Sequence, residues 1–84
     1  MDPASAAVPG TFRIRVLGRL VDGPMTVTEL ASMERKHLSH VSRALSELRA
    51  QGLIEPVRGA PRERRYRATG EGLALYRNLI SGPR

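Results

Sequence analysis

The side chains of this sequence that could do chemistry are mostly cationic. Thirteen arginines and one lysine stand against eight carboxylates in 84 residues, a formal charge of +6. Guanidinium groups in such excess suit phosphate and guanine recognition, because a planar fork of N–H donors matches paired acceptors. A charge of this sign and size points to a polyanionic partner, most simply nucleic acid. The donors gather in two places. Arg35, Lys36, Ser39, His40, Ser42 and Arg43 form one group, and Arg58, Arg62, Arg64 and Arg65 surround Gly59-Ala60-Pro61 as the other.

Other chemistries find no matching set. Cysteine is absent, which excludes a disulfide framework, a thiol nucleophile and a thiolate zinc site. His37 and His40 could share a metal ion, but no third ligand is close in sequence, so no metal is expected. The carboxylates are scattered, and Asp2 and Asp22 stand in an arm and a turn without a nucleophile-elbow context. The chain is therefore expected not to be an enzyme and to use no cofactor. No apolar stretch approaches the ~20 residues of a membrane span, and the start of the chain lacks the pattern of a secretory signal. The expected compartment is the cytoplasm, at the nucleoid.

The elements that must position these groups follow from periodicity. Residues 1–10 are small or helix-breaking and read as a flexible arm, residues 11–81 as the domain, and residues 82–84 as a tail. A first helix starts at Thr11 and carries Phe12, Val16, Leu17, Leu20 and Val21, and Asp22-Gly23-Pro24 stops it. Met25-Thr26 could add a short strand. Thr26-Val27-Thr28-Glu29 has the form of a capping box and starts a second helix that runs to about Met33, followed by a polar turn, Glu34-Arg35-Lys36. The third helix covers residues 37–51, with Leu38, Val41, Leu45 and Leu48 as its core stripe and Gly52 as its stop. Leu53 to Val57 is an edge strand because of Pro56, and Arg64 to Thr69 is the return strand, with Tyr66 and Ala68 on one face. A fourth helix follows Thr69 as N-cap and holds Leu73, Leu75, Tyr76, Leu79 and Ile80. The predicted class is mainly α with a small β-hairpin (α+β).

That order resembles the winged helix-turn-helix family, in particular the small archaeal and bacterial transcription regulators of the MarR/ArsR-like group. The resemblance is carried by TVTELA (26–31), SHVSRAL (39–45), LRAQGLI (48–54) and RYRATGEG (65–72). One departure stands out. Many members have an apolar-Gly-apolar turn before the third helix, where this chain has Glu34-Arg35-Lys36. The family's cysteine metal motif is also missing.

The resemblance implies the order α1-(β1)-α2-α3-β2-wing-β3-α4 and a partner, double-stranded DNA. The third helix would enter the major groove. Lys36, Ser39, His40, Arg43 and Glu47 lie opposite its core stripe on a wheel of roughly 100° per residue. Arg43 would read guanine. Ser39, Ser42, Arg35 and Lys36 would meet phosphates, and His40 a base or a phosphate. Arg58, Arg62, Arg64 and Arg65 would lie along the backbone or in the minor groove, with Arg62 at the tip. The first and last helices carry surplus apolar surface, so Ile14, Leu17, Val21, Leu75, Tyr76 and Leu79 are expected to form a homodimer interface. Two alternatives remain. One is a DNA-coating, chromatin-like protein of little sequence choice. The other is a protein-interaction subunit of a transcription or replication assembly.

Overall fold

The computed structural model describes residues 10–58 and 64–81. The arm over residues 1–9, the wing tip with Arg62, and the tail over residues 82–84 lie outside the described residues.

The first helix, α1 (Thr11–Asp22), buries Val16, Leu17 and Leu20 along one stripe, and ends before Gly23-Pro24. The short strand β1 (Met25–Thr26) leads directly into α2 (Val27–Glu34). The expected capping box is formed there. The Thr26 hydroxyl accepts from the Glu29 N–H at 3.1 Å, and the Glu29 carboxylate accepts from the Thr26 N–H at 3.0 Å. Helix α3 (Leu38–Ala50) follows with His37 as its N-cap, one residue shorter at each end than expected. Its end is closed by Gly52 at φ 75°, where the Gly52 N–H meets the Arg49 carbonyl and the Leu53 N–H the Leu48 carbonyl. This left-handed position suits glycine.

Strands β2 (Ile54–Pro56) and β3 (Arg65–Ala68) complete an antiparallel sheet of order β1-β3-β2. Tyr66 of the central strand sits opposite both Met25 and Pro56, so Pro56 is at an edge as expected. Helix α4 (Gly70–Ser81) closes the fold. Thr69 joins it to the end of α3. Its hydroxyl accepts from the Gly72 N–H at 3.0 Å and donates to the Gly52 carbonyl at 2.7 Å. The core contains Val16, Leu17, Leu20, Leu30, Val41, Leu45, Leu48 and Ile54, with Phe12, Tyr66 and Tyr76 packed against it. Each fully buried leucine or isoleucine contributes about 1.5–3 kcal/mol.

Three expectations are corrected. Leu38 is 53% exposed, and Ala44 takes a place in the buried stripe of α3. A wheel gives a direction only, not whether another element covers it. Leu17 is fully buried within the chain, so it is a core residue and offers no surface to a second copy. Glu34 belongs to α2 and is buried, because Arg15 and Arg19 of α1 both hydrogen-bond its carboxylate.

Two predictions follow from this packing. A Cβ on Gly72 would lie 2.0 Å from the Leu53 carbonyl oxygen, a backbone atom that cannot move aside. Gly72→Ala is expected to destabilise the chain by about 1–3 kcal/mol in urea unfolding. Arg19, ahead of Arg15, holds the Glu34 carboxyl below the ordinary glutamate range, although burial pushes it up. The unfolded chain therefore binds a proton at Glu34 more readily than the folded one. The stabilisation is complete above the ordinary glutamate value of about 4.3 and is lost as pH falls through the lowered folded value. Glu34→Gln should flatten this acid limb of stability against pH. Its cost at neutral pH should be below the ~3–5 kcal/mol of fully buried pairs, because both arginines keep contact with water.

Candidate nucleic-acid interface

Helix α3 has two unlike sides. Val41, Ala44, Leu45 and Leu48 are buried, while Ser39, His40, Ser42 and Arg43 are all exposed. Ser39, His40 and Arg43 together line one shallow depression. Arg35 and Lys36, in the turn before α3, are exposed as well. Arg35 adopts φ 56° and ψ 48°, the left-handed conformation, and is the C-cap of α2. Its neighbour Lys36 donates its N–H to the Ala31 carbonyl at 3.0 Å. An arginine thus holds the left-handed conformation that suits glycine in the middle of the Glu34-Arg35-Lys36 turn.

Helix α1 supports this face. The Phe12 ring meets the His40 ring edge-on, with centroids 4.6 Å apart and planes at 68°. Lys36 Nζ stands 5.9 Å from the Phe12 centroid, within reach of a cation–π attraction. Arg13 Nη1 donates to Glu47 Oε1 at 2.6 Å. Sequence reasoning placed Phe12 in the core and gave Arg13 no role. Thirty-four positions separate Arg13 from Glu47, and no local pattern links residues so far apart.

The wing cations are divided. Arg65 Nη1 donates at 2.9 Å to Glu29 Oε1, the same oxygen that accepts from the Thr26 N–H. The backbone hydrogen bond from Thr26, with Arg65 in support, holds the Glu29 carboxyl below the usual glutamate range. Arg67 pairs with Glu55 at 2.9 Å, and the Val57 N–H meets the Arg65 carbonyl at 2.8 Å to close the base of the hairpin. Arg58 and Arg64 are exposed. Among the described residues, Arg35, Lys36, Arg43, Arg58 and Arg64 enter no ion pair. Among the described residues, cations without a carboxylate partner therefore stand on α3, in the turn before it and at the strand ends that flank the wing. Of the residues expected at a dimer interface, Val21, Leu75 and Tyr76 are partly buried against the core, while Ile14 and Leu79 are partly exposed on the outer side. Ile80 is 65% exposed.

Helices α2 and α3 joined by a tight turn, followed by a two-stranded wing and a closing helix, define a winged helix-turn-helix domain. Residues 10–67 match the Crp-like helix-turn-helix domain, and the chain belongs to that family. Solved structures of similar fold include a single-residue mutant of Lactococcus lactis ZitR, at 18% identity and a TM-score of 0.81 over 88% of this chain and 52% of that one. Wild-type ZitR in complex with DNA matches at 18% identity and a TM-score of 0.79, again over 88% and 52%. ZitR is described as a zinc-responsive MarR family member. The transcriptional regulator SlyA matches at 22% identity and a TM-score of 0.77 over 84% and 52%. At these identities the likeness is one of fold, and the chain spans about half the length of the structures it matches. No curated protein of similar sequence was found.

Left-handed backbone costs a residue other than glycine about 1–2 kcal/mol. Glycine also adds roughly 0.5–1 kcal/mol of unfolded-chain entropy, so Arg35→Gly is expected to stabilise the chain by a net of about 1 kcal/mol or less, read as a higher midpoint of urea unfolding. A lowered midpoint would show that the turn costs the arginine less than the entropy glycine adds to the unfolded chain.

Proposed function

We propose that the chain is a double-stranded DNA-binding transcription regulator that acts as a homodimer. The observation that carries this reading is the division of α3. Its apolar stripe is buried, and Ser39, His40, Ser42 and Arg43 stand together on the open side, beside Arg35 and Lys36. Membership of a helix-turn-helix family and the fold shared with a regulator solved on DNA support it.

In this reading α3 enters the major groove with its first half leading. Arg43 makes a bidentate contact to guanine O6 and N7. Ser39, Ser42, Arg35 and Lys36 contact phosphates, and His40, held by Phe12, donates to a base acceptor or a phosphate. Arg58, Arg62, Arg64 and Arg65 lie on the backbone or in the minor groove. Arg65 reaches DNA while keeping its bond to Glu29, or exchanges one for the other. A second copy packs against Ile14 and Leu79, with Leu75, Tyr76 and Val21 at the edge and Ile80 added. Two copies of α3 are then spaced by about one turn of the duplex, ~34 Å. The chain needs no cofactor or metal for this, has no catalytic role, and works in the cytoplasm at the nucleoid.

Fluorescence-anisotropy titrations test the reading. They compare the chain's own upstream promoter DNA, a random duplex of equal length, and single strands across a range of salt. A regulator is expected to prefer the promoter by at least ~10³-fold. About eight phosphate contacts per dimer give a log–log salt slope near −7. Equal, steeply salt-dependent binding to both duplexes would favour a coating protein, and absent duplex binding would shift the reading to a protein partner. Arg43→Ala should cost about 1–3 kcal/mol on the preferred duplex and little on the random one.

A further inference from the structure

Glu47 shares one depression with Arg13 and Arg43 and bonds only Arg13. Arg43 and Glu47 are four positions apart on α3, the spacing at which opposite charges meet along a helix. Both border the depression that Phe12, Arg13 and His40 also line. Yet Glu47 Oε1 accepts from Arg13 Nη1 of α1, and Arg43 enters no ion pair among the described residues. The preference has physical causes. An acid placed after its basic partner is the weaker order for a pair along one helix. The Arg13 side chain is 33% exposed and that of Glu47 49%, so the bond lies at the surface with its arginine partly packed against the chain. Once Arg13 occupies the carboxylate, its positive charge also opposes the approach of Arg43.

We infer that Arg13 is a positioning residue that, by holding Glu47, keeps the Arg43 guanidinium free for the nucleic acid. The inference rests on the docking of α3 proposed above. Arg13 acts through Glu47 and needs no contact with DNA itself. Without it, the cation at helical pairing distance from Glu47 is Arg43, four positions earlier on α3, and that pair competes with the guanine acceptors. An acid on a DNA-facing helix repels phosphates, and its pairing with a side chain from α1 removes both the repulsion and the competition.

Two measurements test this on the full chain. The first is the NMR signal of the Arg43 Nε–H, which reports on Arg43 without any ligand. Arg13→Met keeps the aliphatic stem, and it is expected to shift this signal and slow its exchange with water. Arg13→Met/Glu47→Gln should return it to the wild-type position. An Arg43 signal unmoved by Arg13→Met overturns the inference. If Arg13→Met does not fold, Glu47→Gln alone decides, because an Arg43 that is already free should keep its signal. A large shift there counts against the inference.

The second measurement is anisotropy on a duplex selected from a random pool by the wild-type chain. Arg13→Met should weaken binding about two- to fivefold, the effect of one exposed i,i+4 ion pair competing in each of two copies. Arg13→Met/Glu47→Gln should restore it. Arg13→Met/Glu71→Gln has the same net charge and should not, since Glu71 lies on α4. Equal rescue by both would reduce the effect to net charge and overturn the inference. Failure to select any duplex would overturn the docking reading and Arg43's target with it. The Arg43 signal would still decide whether Arg13 governs Glu47.

Discussion

The architecture depends on one buried carboxylate. The side chain of Glu34 is 1% exposed, and a charge in that position is tolerable only with partners. Arg15 and Arg19, one helical turn apart on α1, supply them. Because Glu34 is the last residue of α2, the pairing fastens the end of that helix against α1. The chain then turns through Arg35 in the left-handed region and starts α3 at Leu38. The angle at which α3 leaves α2, and so the direction of its exposed side, rests on the placement of that turn. Protonation removes the charge that Arg19 and Arg15 pair with, so this fastening weakens in acid.

Helix α1 serves two structures at once. Its apolar stripe of Val16, Leu17 and Leu20 lies in the core. Its polar side sends Arg15 and Arg19 to α2 and Arg13 to α3, while Phe12 carries His40 and Lys36. The charge distribution follows from these contacts. Glu29, Glu34, Glu47 and Glu55 each have an arginine partner. Among the described residues, the cations without an ion pair are those of the turn, of α3 and of the strand ends that flank the wing, together with Arg77 on α4. Net charge alone would spread attraction over the whole surface, whereas pairing concentrates it.

The sheet and α4 are joined through a small junction. Thr69 caps α4 and bonds the carbonyl of Gly52, and Gly72 lets α4 rest directly on the Leu53 carbonyl. Tyr76 crosses Gly18 of α1, whose lack of a side chain makes room for the phenol. Helix α4 therefore makes these contacts between Gly72 and Tyr76, and its end leaves Ile80 in solvent.

Local chemistry determined much of this protein from its sequence. The capping box at Thr26, the glycine stop at Gly52, the N-cap at Thr69 and the edge strand at Pro56 depend on near neighbours, and each formed where its residues stand. Helical periodicity likewise separated the buried side of α3 from Ser39, His40 and Arg43, because a regular helix converts spacing into direction. What lies in that direction was decided only by the tertiary structure. Leu38 points along the core stripe and meets solvent, Leu17 lies inside the chain, and Glu34, polar and placed beside a turn, is buried. The partners of Glu47 and Arg65 also come from distant parts of the chain. Burial and ion pairing depend on which elements come together, and that is a property of the packed fold, not of any stretch of residues within it.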